Sequence, residues 1–120
     1  FFRYPDVFDA LLCLSGLYTN EYCFGDYHDD LTYMNSPQQF IAGMPQDHPY
    51  IQKYNQGRIV LCVGRGAWEN ETLESTSAFA EILKSKGINA WVDFWGTDVR
   101  HDWNWWFAQA AYFLPKILGD

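Results

Sequence analysis

Apolar residues gather in three short runs along this chain, each closed by glycine or serine-glycine. Ala10 to Leu14 stops at Ser15-Gly16, Arg58 to Val63 at Gly64-Arg65-Gly66, and Ile88 to Trp95 at Gly96. Runs of this length with little polar alternation predict strands buried on both faces. Between the second and third runs, the spacing predicts a helix over Thr72 to Lys86. Leu73, Phe79, Ala80, Ile82 and Leu83 form its apolar stripe, and Glu74, Glu81, Lys84 and Lys86 face water. Gly87 is placed to end it. After the third run, Asp102 to Leu114 predicts a last helix with Trp103, Trp106, Phe107, Ala110 and Leu114 on one stripe. Asp102 suits its N-cap, and Pro115 should end or kink it.

The segment from 17 to 57 has no such period. It carries Gly25, Pro37, Gly43, Pro45, Pro49 and Gly57 among many aromatic residues. That density of breakers predicts short helical turns and loops, with Ser36-Pro37 a natural helix start. The order is therefore strand, irregular insertion, strand, helix, strand, helix. It predicts an α/β fold with a parallel sheet and flanking helices, occupying residues 1–120 as one domain or part of one. In such sheets function gathers at the carboxyl ends of the strands. The loops there are 15–18, 64–71 and 96–101.

Composition narrows the function classes. Aromatic residues make up 19% of the 120 positions, which argues against disorder. The net charge is −7, and the eight Lys and Arg form no cluster. A nucleic-acid partner or an anionic membrane surface is therefore disfavoured, because each needs a basic patch. No apolar run approaches the ~20 residues that span a bilayer. Cys13, Cys23 and Cys62 are odd in number and irregular in spacing, which is not a disulfide framework. Free buried thiols and a reducing, cytoplasmic compartment are expected.

Three loops carry the candidate chemistry. His101 sits between a strand and a helix, where an imidazole can serve as a general base or simply lie exposed near a helix start. Glu69 and Glu71 follow the second strand. They can orient an imidazole or favour the positive end of the following helix. Asp26, His28, Asp29, Asp30, Asp47 and His48 lack the spacing of a zinc site, so no metal is expected. Gly64-x-Gly66 lacks the third glycine of a dinucleotide loop, since Glu69 stands there, and no cofactor is expected.

Three stretches together, YPDVFDALLCLSGLY, RIVLCVGRGAWENET and AWVDFWGTDVRHDWNWW, resemble the last half of a serine esterase of the α/β-hydrolase fold. The resemblance is to the group of feruloyl esterases, enterochelin esterases, S-formylglutathione hydrolases and mycolyltransferases. It implies a partial α/β-hydrolase fold with the nucleophile-elbow half missing, and Phe1 to Tyr4 as the tail of the helix after that elbow. It implies His101 as catalytic base and Glu69 as acid, with Glu71 the alternative. Ser15, Tyr18, Trp68 and Trp103 would then belong to the pocket. The group's G-x-S-x-G motif is absent. Around Ser15 the elbow glycines are replaced by Cys13 and Leu17, so Ser15 is not expected to be the nucleophile. The implied partners are a small ester substrate and the missing N-terminal half, or a swapped copy in a homo-oligomer. The runner-up reading is a non-catalytic module that binds a glycan or another ligand on its tryptophans.

Overall fold

The computed structural model describes residues 1–19, 33 and 35–119; Cys23, Asp26, His28, Asp29 and Asp30 lie outside the described residues. Three strands, β1 (Ala10–Leu14), β2 (Arg58–Val63) and β3 (Trp91–Phe94), form a parallel sheet in the order β1-β2-β3. The helices are α1 (Pro37–Ala42), α2 (Pro49–Gln56), α3 (Asn70–Ser85) and α4 (Trp103–Leu118). In register, Leu12 lies opposite Val60 and Cys13 opposite Leu61, while Val63 lies opposite Phe94.

A parallel sheet must be covered on both faces, and alternate strand residues divide accordingly. Leu11, Cys13, Ile59, Leu61 and Val92 pack with Phe40 and Ile41 of α1, Ile51 and Tyr54 of α2, and Phe79 and Leu83 of α3. Leu12, Leu14, Val60 and Cys62 face the other way, onto Phe113 and Ile117 of α4. The result is a three-layer α/β/α arrangement. Aromatic contacts fill the larger core: Tyr18 stacks on Phe79 at 4.7 Å, and Phe2 meets Phe79 edge-on at 5.3 Å. No described helix is long and apolar enough to cross a membrane.

Several elements differ from the sequence expectation, each for a local reason. Phe1 to Tyr4 forms no helix. Pro5 disfavours helical backbone at Tyr4, a single turn joins Tyr4 N–H to the Phe1 carbonyl at 3.1 Å, and both phenyl rings pack against Tyr54. Strand β3 is shorter than Ile88 to Trp95. Gly87 takes the left-handed region at φ 71°, and the Asn89 N–H turns to the Asn55 side chain at 2.7 Å instead of a strand. Helix α3 starts two residues early, which makes Glu69 the residue at its N-cap.

Helix α4 departs most. It runs through Pro115 to Leu118. Pro115 and Ala111 are both exposed, so the carbonyl that proline leaves without a partner can be met by water. The Arg58 guanidinium donates to the carbonyls of Lys116, Ile117 and Gly119, and so caps the last turn. The buried face is Gln109, Phe113 and Ile117. Trp103 and Phe107, expected on the buried stripe, are each 66% exposed. Apolar residues nearly encircle this helix, so spacing alone does not choose the face; the two positions that meet Val60 and Cys62 do.

Two outcomes follow from this core. Phe79→Ala removes a ring with no exposed surface and should lower the stability to urea unfolding by about 3–5 kcal/mol. Burial, with the charges of Asp93 and Glu69 adding to it, pushes the Cys62 thiol up to about 12 from an ordinary 9.0. The unfolded chain then loses that proton first, so Cys62 leaves stability unchanged below about pH 9 and erodes it from there toward pH 12. Urea midpoints between pH 8 and 11 should fall less steeply in Cys62→Ala than in the unaltered protein.

Candidate functional site

Three loops meet at the carboxyl ends of the strands, and backbone hydrogen bonds tie two of them together. Arg65 N–H donates to the Gly96 carbonyl at 3.1 Å, Gly66 N–H to Val99 at 2.9 Å, and His101 N–H to Ala67 at 3.0 Å. The two chains approach so closely that side chains do not fit between them. A Cβ on Gly64 would stand 2.3 Å from the Val99 carbonyl oxygen, and one on Gly66 2.6 Å from the same atom. This is the structural reason for Gly64-Arg65-Gly66. The buried Val99 side chain anchors the other loop, and His101 is delivered beside Glu69.

Glu69 is the centre of the arrangement. Its side chain is only 1% exposed, and it sits at the N-cap of α3 without capping it. The carboxylate turns instead toward three donors. His101 Nδ1 lies 2.9 Å from Oε1. The Ser15 hydroxyl reaches Oε1 at 2.9 Å and Oε2 at 3.0 Å. The Thr72 hydroxyl, one turn along α3, bonds Oε2 at 3.0 Å. A carboxylate can only accept, so a buried one needs such donors around it. The bond at Nδ1 places the proton of a neutral imidazole on that nitrogen and leaves Nε2 as the acceptor.

Trp106 closes the network. Its Nε1–H donates to the Ser15 hydroxyl oxygen at 3.0 Å, and its ring meets the His101 imidazole at 90° with centroids 4.7 Å apart. Ser15 (φ 56°) and Trp68 (φ 66°) are the non-glycine residues with positive φ among the described residues. One bonds the Glu69 carboxylate and the other directly precedes Glu69. Left-handed backbone costs roughly 1–2 kcal/mol at a residue with a Cβ, and such outliers concentrate at sites that need an unusual shape.

His101 and Ser15 line a hollow of about 380 Å³ with Leu14, Trp103 and Trp106. Tyr18 and Trp68 do not line it. Tyr18 is buried on the α3 face against Phe79 and borders a different hollow of about 420 Å³, beside Phe1, Phe2 and Phe40. Trp68 is 86% exposed, with left-handed backbone at φ 66°. Glu71 is exposed in the first turn of α3, and it is Glu69 that meets His101 Nδ1. Asp102 occupies the N-cap of α4 with extended backbone but makes no side-chain cap; its carbonyl accepts from Trp105 and Trp106. His48 is the N-cap of α2, with Nδ1 accepting from Tyr50 N–H at 3.1 Å. Among the described residues no three His, Cys, Asp or Glu side chains converge as a metal site would require.

Sequence reasoning did not single out Thr72 or Trp106 for this site. The interval of three residues between Glu69 and Thr72, at a helix start, was the one signal for the first. For Trp106 the signal was its place in the tryptophan-containing helix after His101, which did not point to a bond with Ser15.

No family model and no curated protein matches this sequence. A solved structure described as a ferulic acid esterase superposes on 97% of this chain with a TM-score of 0.70, at 17% sequence identity. The match covers 46% of that protein's chain, so the present sequence spans about half its length. The likeness is one of fold, and it makes this chain an esterase-like α/β structure with three parallel strands and helices on both faces.

Proposed function

We propose that this chain supplies the base and the acid of a serine-type carboxylic ester hydrolase. The observation that carries the reading is the contact of His101 Nδ1 with the buried Glu69 carboxylate at the carboxyl end of the sheet. A general base in ester hydrolysis needs one ring nitrogen fixed and the other free to take a proton. Glu69 does the fixing. The fold shared with a ferulic acid esterase supports the same chemistry.

The nucleophile comes from elsewhere. Ser15 is occupied with Glu69 and Trp106, and its hydroxyl makes no bond to His101 among the described residues. In our reading the serine and its oxyanion hole lie on residues outside these 120, in an N-terminal half, of the same protein or swapped in from a second copy of it, whose strand pairs with β1. Among the described residues, strand β1 is bonded on one side only, by β2, and an unpaired parallel edge calls for a partner. The exposed Val7, Phe8 and Leu17 near it would be covered in the same way. The reaction then proceeds in two steps. The serine oxygen attacks the ester carbonyl while its proton passes to His101 Nε2, and collapse of the tetrahedral intermediate returns that proton to the departing alcohol. Water repeats the sequence on the acyl-enzyme, releasing the acid and restoring the serine.

A second reading has a separate observation behind it. Trp68 and Trp103 project into solvent and could hold a glycan on a module without catalysis. Labelling the product of the complete reading frame with a fluorophosphonate separates the two. The ester hydrolase should be labelled, and His101→Ala and Glu69→Gln should each lower hydrolysis of a p-nitrophenyl ester on the order of 10⁴-fold. The 120-residue chain alone should show neither reaction. An unlabelled complete protein that hydrolyses no ester would leave the binding module standing.

A further inference from the structure

We infer that Ser15 and Trp106 act as positioning residues that hold the Glu69 carboxylate against His101. The inference rests on the ester-hydrolase reading for its effect on rate, but its geometry stands independently.

Three observations converge. Among the described residues, the Ser15 hydroxyl is the one donor that reaches both oxygens of the carboxylate, at 2.9 and 3.0 Å. It bridges the oxygen bonded by His101 and the oxygen bonded by Thr72, and so fixes the rotation of the carboxylate plane. The hydroxyl is itself oriented. Trp106 Nε1–H occupies its acceptor side at 3.0 Å, which leaves the hydroxyl proton directed at Glu69. Trp106 also stands edge to face with the imidazole, so one indole touches both the base and the hydroxyl that bonds the acid.

The third observation is the backbone. Ser15 is held at φ 56°, a conformation that glycine adopts at lower cost. The strand ladder holds it there: Ser15 N–H donates to the Cys62 carbonyl at 2.8 Å, one residue past the end of β1. The turn aims the side chain across the top of β2 at Glu69. A buried residue at this φ gains nothing from its Cβ except the hydroxyl the Cβ carries. That runs from an observed outlier to a role, and it separates Ser15 from a residue that merely fills space.

The contrast between Ser15→Gly and Ser15→Ala tests this in the complete protein. Both remove the hydroxyl, but glycine relaxes the backbone and alanine keeps it strained. Both should keep KM within about twofold and lower kcat for a p-nitrophenyl ester by about 10- to 100-fold, the scale of a misplacement near 1 Å. With ¹⁵N-labelled histidine, the His101 ring, assigned by its loss in His101→Ala, should show a single Nδ1–H tautomer in the unaltered protein. It should show a tautomer mixture in both variants. Trp106→Phe keeps a ring beside His101 but removes the N–H, and should reproduce both effects if a Ser15 variant fails to fold. Unaltered kcat and an unaltered imidazole signal in Ser15→Gly would overturn the inference. A loss in Ser15→Ala alone would also overturn it, by assigning the effect to the backbone. Should the unaltered protein hydrolyse no ester, the ester-hydrolase reading falls, and the imidazole signal alone still decides what Ser15 does.

Discussion

A carboxylate buried at the top of a parallel sheet constrains everything around it. Glu69 has lost nearly all contact with water, and an unpaired charge in such a place is too costly to persist. The surrounding fold supplies what water would have. One donor comes from the loop after β1, one from the first turn of α3, and one from the loop after β3. Three segments far apart in sequence must therefore be correctly placed at once. A shift in any of them would strand part of the charge, so the carboxylate links the accuracy of the sheet to the geometry of the imidazole.

The means of that accuracy is backbone contact rather than side-chain packing. The loops after β2 and β3 are joined by alternate N–H and carbonyl bonds across Gly64 and Gly66. Peptide groups have fixed shapes, whereas long side chains have many rotamers. Joining two loops through peptides thus fixes His101 relative to Glu69 more tightly than a salt bridge between flexible side chains would. The same logic explains why Ser15 N–H and Trp95 N–H both continue the strand ladder by one residue, to Cys62 and Val63. The functional loops begin from extensions of the sheet.

Much of this was legible in the sequence because the signals were local. The three apolar runs gave the strands, and the Leu73-to-Leu83 stripe gave α3, since burial on both faces or on one stripe leaves a clear period. His101 and Glu69 could be named as candidates from their places after strands two and three. What was not legible depended on tertiary choice. Helix α4 is apolar around most of its circumference, and only contact with Val60 and Cys62 turns Phe113 and Ile117 inward. The short reach of β3 depends on Asn55, a residue over thirty positions away. Ser15 read as a residue of the pocket wall, because nothing in Leu14-Ser15-Gly16 shows that the serine, and not the glycine beside it, takes the left-handed turn.

The two nitrogens of His101 are served by different parts of the architecture. The Nδ1 side is satisfied within this chain, by a carboxylate that the Ser15 and Thr72 hydroxyls hold in turn. His101 also lines the hollow that Leu14, Ser15, Trp103 and Trp106 share at the end of β1. Among the described residues, β1 is also an edge of the sheet. A base is most useful when its orienting contact is rigid and its reactive contact is open, because the proton it moves has to arrive from a group that is itself changing its bonds. The site thus has its Glu69 contact above the three-stranded sheet and its hollow at the β1 border. In the reading proposed above, a strand that pairs with β1 would bring its own carboxyl end next to the hollow that His101 lines, so the pairing that covers the edge would also be the one that assembles the reacting groups.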